Sequence, residues 1–241
     1  MKLKQTIKFI LLLILLVSMG FLYGFSNNRN AQKIINEIDV QLDINKSFFL
    51  TESMVNKLLI QNNEGVEKQT KSVIDLYKLE EQVLKHPYIE KASLFMTIDG
   101  KLIASIKQRQ PIARIMTNNT SYYIDLELVK VPLSQNYSAR VPLITGVQDD
   151  EDLQKVIELL IKITDDVFLQ KEIIGIHLKP NKEYIMSVRS GNYKIEFGKL
   201  TDIDGKIKKL KAFYNKVFLD STIYKYKTIN IKYHNQVVGV K

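Results

Sequence analysis

The chain has no cysteine, and it has only 10 glycines and 5 prolines among 241 residues. The absence of cysteine excludes a disulfide framework, a thiolate zinc site, a cysteine nucleophile and a lipoprotein anchor. The low glycine and proline content excludes a fibrous or low-complexity chain, and no internal repeat is present. The fold must therefore be stabilised by its own hydrophobic core, and the chain is long enough to form one.

Concentrated charge of one sign is also scarce. The net charge is +9, but the basic residues are dispersed among acids. The densest basic cluster is formed by Lys206, Lys208, Lys209 and Lys211. Nucleic-acid-binding proteins typically show a concentrated basic stripe with interleaved aromatic residues. We therefore predict no nucleic-acid partner and interpret the cluster as an exposed helix face.

Catalytic and metal-binding motifs are missing as well. There is no nucleophile elbow, HExxH or SxxK motif, and His86, His177 and His234 lack the spacing of metal ligands. His86 fits a C-terminal cap that interacts with a helix dipole. The acidic run 149–152 lacks the pattern of a calcium loop and better fits the capping of a helix N-terminus. We predict no catalytic residue, no metal and no cofactor.

One long hydrophobic run, residues 7–25, is present. Its 19 residues span about 28 Å as a helix, close to the hydrocarbon thickness of a bilayer. Lys2 and Lys4 in the tail 1–6 predict that the tail is cytoplasmic and that the rest of the chain is translocated. A cleavable signal peptide is the alternative, but the run is longer than the core of such signals. Gly20 and Gly24 form a GxxxG step that would permit weak self-association.

After a polar spacer, residues 26–33, the pattern predicts a small α+β unit. Residues 38–42 alternate as a strand, and Thr51 is a plausible N-cap of a helix over 51–59. A loop over 61–72 and a second amphipathic helix over 74–85 follow. Asp99-Gly100 then joins two strands, 89–98 and 101–107, as a hairpin.

The remainder of the chain is predicted to be mostly strands. The predicted strands are 112–116, 121–125, 128–131, 173–179, 183–189 and 193–197, and the predicted helices are 152–164 and 206–218. The chain is predicted to close with one strand-like run, 226–240. The fold class is α+β, with a transmembrane helix, a first domain over 34–114 and a β-rich domain over 115–241.

Several motifs in order resemble the FtsQ/DivIB family of bacterial cell-division proteins. HPYIEKASL, residues 86–94, resembles the family's "HPxVxxAxV", and residues 108–114 resemble its strand exit from the POTRA domain. YYID, residues 122–125, and VPLITG, residues 141–146, resemble "YxID" and "VPxITG". Residues 229–233 and 235–238 resemble the closing strand. The residues in these motifs resemble those of Bacteroidetes-type sequences.

The resemblance implies a function and a set of partners. It implies a non-enzymatic, single-pass scaffold of the inner membrane with its C-terminal part in the periplasm, located at the division septum. Its partners would be FtsB and FtsL, and it would help direct septal peptidoglycan synthesis. The closing strand of the family receives a strand from FtsB, which is β-augmentation of an open sheet edge.

The matching positions in this chain are candidate partner-binding residues. They are Lys232, Tyr233, Asn235, Gln236 and Val237, with Phe213 and Phe218 from the preceding helix and Lys182 as a cation that pairs with a partner acid. Tyr233 is expected to be an aromatic anchor, and Lys232 a solvated rim charge. Two alternatives remain at this point: a membrane-anchored hydrolase of envelope polymers, and a POTRA-type chaperone or translocation module.

Overall fold

The computed structural model describes residues 2–43, 49–61, 70–117, 120–219 and 222–241, without the side chains of 2–6, 61, 218 and 219. The chain divides into two compact units, Met1–Gln108 and Arg109–Lys241. The domain boundary predicted after residue 114 falls inside a strand of the second unit, Ala113–Met116. The predicted loop 61–72 falls mostly on residues outside this description.

The first unit begins with a long helix, α1 (Lys2–Ala31). Its segment Ile7–Ala31 contains a stretch that is long and apolar enough to cross a membrane. The apolar side chains are exposed all around the helix, from Ile7 at 50% to Tyr23 at 76%. A helix that is apolar on every side requires an apolar surrounding, and a bilayer provides one.

The rest of this unit has the predicted order strand, helix, helix, strand, strand. These elements are β1 (Glu37–Asp43), α2 (Glu52–Gln61), α3 (Leu76–Leu84), β2 (Ile89–Met96) and β3 (Lys101–Gln108). The backbone N–H of Met54 donates to the Thr51 hydroxyl, which confirms the predicted cap of α2. The sheet order is β1-β3-β2, with β1 parallel and β2 antiparallel to β3.

The second unit is built on a mixed sheet. Its strands are β4 (Ala113–Met116), β5 (Ser121–Ile124), β6 (Lys130–Val131), β7 (Leu143–Thr145), β8 (Ile173–Leu178), β9 (Tyr184–Val188), β10 (Lys194–Gly198), β11 (Thr228–Asn230) and β12 (Val238–Val240). Within the described residues their order is β12-β11-β10-β9-β8-β7-β4-β5-β6. The two edges of this sheet are therefore β12 and β6.

Three helices accompany this sheet: α4 (Asp150–Thr164), α5 (Val167–Glu172) and α6 (Ile203–Leu219). The Asp149 carboxylate accepts from the backbone N–H of Asp152 at 2.8 Å, which confirms the predicted capping role of the acidic run. α4 and α5 form the crossover between the parallel strands β7 and β8. The inner faces of the helices and the sheet form one core that includes Ile144, Val156 and Phe197.

The prediction of one continuous closing strand over 226–240 is wrong. The run follows a 3₁₀ turn (Ile223–Lys225), forms β11, reverses, and returns as β12 antiparallel to β11. The reversal moves the open edge of the sheet from β11 to the last residues of the chain.

Candidate partner-binding edge at β12

The outermost strand of the larger sheet is β12. Val240 lies opposite Thr228, Gly239 opposite Ile229, and Val238 opposite Asn230. On its other side, β11 is parallel to β10. β12 therefore pairs with β11 on one side and has no neighbouring strand among the described residues on the other.

Hydrogen bonding at both sides of β11 determines which backbone groups of β12 point outward. The N–H of Lys194 donates to the carbonyl of Lys227, and the N–H of Ile231 donates to the carbonyl of Glu196. The carbonyl of Lys227 and the N–H of Ile231 therefore face β10, and because backbone groups alternate along a strand, those of Thr228 and Asn230 face β12. The N–H of Lys227, just before β11, also reaches β12 and donates to the carbonyl of Val240 at 2.8 Å. It follows that Val238 and Val240 bond to β11 while the N–H and C=O of Gly239 point away.

The side chains around this edge are apolar and accessible. Val238 is 37% exposed and Val240 is 51% exposed, and their spacing of two places them on one face of the strand. Tyr233, in the preceding connection, is also 51% exposed. The edge therefore combines an outward-pointing peptide group with apolar side chains that would pack against an added strand.

The packing beneath Gly239 explains why this position is glycine. A Cβ there would lie 2.4 Å from the Tyr226 ring. That ring packs edge-on against Phe213, with centroids 5.4 Å apart. Phe213 is consequently half-buried against the core. It supports β12 from below rather than presenting a free helix surface.

The connection between β11 and β12 is held by two lysines. The Lys209 amine, on α6, donates to the backbone carbonyls of Tyr233 and His234, the latter at 2.8 Å. The Lys232 amine lies 3.0 Å from Glu183 and 3.2 Å from Glu196. Because the Glu183 hydrogen bond favours the cation, it raises the pKa of Lys232. The expectation that Lys232 is a solvated rim charge is wrong, because two carboxylates of its own chain already hold it.

The remaining candidate partner-binding residues differ in their exposure and in their contacts. Asn235 and Gln236 are exposed in the connection, and Val237 is half-buried directly before β12. The Lys182 amine lies 2.6 Å from the buried carboxylate of Asp152, so a partner acid would have to compete with Asp152. The side chain of Phe218 lies outside the described part of the chain.

The Lys182–Asp152 pair predicts a pH dependence of stability. The Lys182 hydrogen bond lowers the pKa of Asp152 from its ordinary 3.8. A lowered pKa stabilises the fold above 3.8, and this contribution disappears as the pH falls through the folded-state pKa. We expect Lys182→Gln to lower the melting temperature near pH 6, with the difference from the natural chain shrinking towards about pH 3. Lys162→Gln, at an exposed pair with Asp204, is the control; a constant difference for Lys182→Gln would contradict the assignment.

Two other groups of polar side chains are explained by local structure. Burial lowers the pKa of His86, and its Nδ1 accepts from the Tyr88 N–H at 3.4 Å. The C-cap of α3 is Lys85, and His86 follows it. Ser190 and Tyr193 donate to the buried Glu172 carboxylate, and the Tyr193 hydroxyl lies 2.9 Å from the Tyr214 hydroxyl. Both tyrosines are at most 2% exposed, so a substrate cannot reach them. Among the described residues there is no cluster of metal-ligating side chains.

The sequence interpretation missed Val238, Gly239 and Val240 as the edge itself. One available signal was the absence of charge from these last residues before Lys241. Natural sheet edges are usually protected by charged residues or proline, so an uncharged edge indicates a surface that pairs.

Comparison with known proteins agrees with both units. Residues 34–107 match the family model of a POTRA-like domain, and residues 110–240 match the model described as FtsQ/DivIB, C-terminal related. No curated protein matches the chain. Among solved structures, the major extracytoplasmic domain of the cell-division protein DivIB from Geobacillus stearothermophilus is similar. It is 15% identical and covers 48% of this chain and 97% of that domain, with a TM-score of 0.29.

The chain thus combines one apolar helix, a POTRA-like domain and a β-rich domain that matches a family of cell-division proteins. The second match spans more than half of the chain. The chain belongs to the FtsQ/DivIB family. The members of this family are non-enzymatic division proteins, and a scaffold role in cell division follows from membership.

Proposed function

We propose that this protein is a single-pass division scaffold that binds FtsB and FtsL outside the cytoplasm. A strand of FtsB pairs with β12, and the assembled complex directs septal peptidoglycan synthesis. The observation that carries the proposal is the open, uncharged edge at Val238–Val240 with the Gly239 peptide group pointing outward. No chemistry is required of the chain, because its contribution is binding.

The other sheet edges are less suited to strand addition. The opposite edge of the same sheet, β6, has two residues, and one of them is Lys130. In the first unit, the edge strand β1 includes Glu37, Asp39 and Asp43. The other edge strand of that sheet, β2, includes Glu90 and Lys91. Charges and short length are the usual protections of an edge against pairing. β12 is also short, with three residues, but it has neither a charge nor proline, which favours it as the binding edge.

Tyr233 is expected to be a hot spot of this interface. Tyr233→Ala should weaken FtsB binding by roughly 1–3 kcal/mol, the range of an exposed aromatic that becomes buried in a complex. The measurement is titration of the full chain in detergent with the extracytoplasmic segment of FtsB. Tyr77→Ala is the matched control, because Tyr77 is 78% exposed and belongs to the first unit. Equal affinities of both variants would exclude Tyr233 as an anchor.

The orientation in the membrane gives a second test. Lys2 and Lys4 precede the apolar segment, and lysines concentrate on the cytoplasmic side of such helices. A reporter enzyme active only outside the cytoplasm, fused after Lys241, should therefore be active. A stable but inactive fusion would contradict the proposed topology.

The rival function is a membrane-anchored hydrolase of envelope polymers. It requires a carboxylate pair or a Ser/His pair that converges in an accessible cleft. The Glu172–Ser190–Tyr193 cluster has one carboxylate and one serine but neither of these pairs, and its tyrosine and carboxylate are buried. Crosslinking in the membrane followed by identification of the attached proteins separates the two functions. FtsB attached through β12 supports the scaffold, and polymer fragments alone support the hydrolase.

A further inference from the structure

A cleft of about 580 Å³ lies where α1 leaves its apolar segment. Tyr23, Asn27 and Asn30 line it from the helix. These positions are spaced by four and three residues, so they share one face of α1. Lys33 and Ile98 line the cleft as well. The cleft is thus bounded by the end of the membrane-spanning helix and by the tip of the β2–β3 hairpin.

The hairpin tip is fixed to the end of α1 by direct contacts. The Lys33 amine donates to the carbonyl of Ile98 at 2.5 Å, and the N–H of Asn36 donates to the carbonyl of Gly100 at 3.1 Å. The side chain of Ile98 is nevertheless 80% exposed. An apolar side chain is therefore held in the open beside the helix exit.

The position of the cleft along α1 corresponds to the lipid headgroup layer. The apolar segment ends near Phe25, and the headgroup layer adds roughly 5–7 Å beyond the hydrocarbon. At about 1.5 Å per residue, the next four or five residues of α1 cross this layer. These residues include Asn27, Arg29 and Asn30, so Ile98, which lines the same cleft, reaches the layer too.

The charge of the cleft suits a phosphate group. Arg29 lines it and has no hydrogen-bond or ion-pair partner within the described part of the chain. The Lys33 ammonium uses one of its three donors on Ile98 and has two left. Among the described residues, no carboxylate lines the cleft; Asp99, next to Ile98, is exposed.

We propose that this cleft binds the phosphate of an anionic phospholipid in the leaflet where α1 leaves the membrane, and that Ile98 inserts into the same interface. Arg29 and Lys33 supply the charge, Asn27 and Asn30 supply amide donors, and Tyr23 packs beside the lipid. The first domain is then seated on the bilayer at its hairpin tip. The inference rests on the membrane crossing of α1 and does not depend on the binding edge at β12.

Lipid retention tests the charged half of the proposal. The full chain in detergent is titrated with phosphatidylglycerol or phosphatidylcholine, and bound lipid is counted by native mass spectrometry. We expect preference for phosphatidylglycerol, and a loss of about five-fold in its retention for Arg29→Gln, the effect of one cation at an anionic surface. Arg29→Lys should retain most of the binding. Lys85→Gln is the matched control, because Lys85 is an exposed lysine at the C-cap of α3, before β2.

Depth measurement tests the apolar half. The chain has no tryptophan, so Ile98→Trp creates a single reporter for quenching by lipids brominated high on their chains, in nanodiscs of phosphatidylcholine and phosphatidylglycerol. Leu84→Trp is the control. Leu84 ends α3, before β2 begins, and roughly 30 Å of extended strand separates the start of β2 from Ile98 in the turn after it. We expect strong quenching at position 98 and little at position 84.

Each contrary result has a distinct meaning. Equal retention of both lipids, or equal quenching at both positions in an incorporated chain, overturns the lipid site and leaves the division scaffold untouched. Displacement of bound lipid by inorganic phosphate would make the cleft a site for a soluble anion and would also overturn the proposal. A chain that does not enter nanodiscs overturns both the lipid site and the proposed membrane crossing.

Discussion

Proline at Gly239 is expected to weaken the binding of FtsB by strand addition strongly. The N–H of Gly239 points away from β11, so it is the donor that a partner strand would use. Proline removes that donor and leaves the partner's carbonyl unpaired at the interface. An unpaired buried acceptor costs about 1–3 kcal/mol, which weakens binding by roughly one to two orders of magnitude. The measurement is the same titration with the FtsB segment.

Gly239→Ala is the matched control for this effect. Any Cβ at this position meets the Tyr226 ring at 2.4 Å, so alanine and proline both displace that ring. Only proline also removes the N–H. Equal binding by the two variants would show that the Gly239 amide is not part of the interface. A continuous closing strand would make Gln236 and Val237 the positions for a proline substitution. In the structure both residues precede β12, so Gly239 is the position to test.

Alanine at Gly146 is expected to destabilise the second unit more than alanine at Gly175. Gly146 follows β7 with φ +84°, and a Cβ there would lie 2.0 Å from the backbone carbonyl oxygen of Leu178. The left-handed backbone disfavours a Cβ, and the clash involves backbone that cannot rotate away. Together these effects should lower the free energy of unfolding by about 3 kcal/mol.

Gly175→Ala tests the explanation for Gly146. Gly175 lies in β8, beside β7, but its added Cβ would be 3.3 Å from the Leu143 carbonyl and its φ is not positive. We expect a loss below about 1 kcal/mol, measured by chemical denaturation alongside Gly146→Ala. Similar losses for the two variants would contradict the role of the Gly146 conformation.

Patterns within short segments were sufficient to predict most elements of the first unit. The alternation of β2 and β3 and the Asp99-Gly100 turn predict the hairpin, and Gly100 indeed has φ +91°. The amphipathic spacing of α3 depends on neighbours within two turns of helix. Such local signals are readable in one sequence because they do not depend on distant residues.

The binding edge was not predictable in the same way. Residues 226–240 alternate as if they formed one strand, but Lys209 on α6 holds the carbonyls of Tyr233 and His234 where the chain reverses. Lys232 is likewise held by acids far away in sequence. β7 and α5 were missed for another reason: three and six residues are too few to establish a period.

The most direct test of strand addition at β12 is amide hydrogen exchange of the full chain with and without the FtsB segment. The account predicts that the amide of Gly239 exchanges quickly in the free protein and becomes protected in the complex, because it gains a hydrogen bond to the partner strand. The amides of Val238 and Val240 already bond to β11 and should change less. Protection elsewhere in the second unit, with the Gly239 amide still exchanging quickly in a saturated complex, would contradict the account.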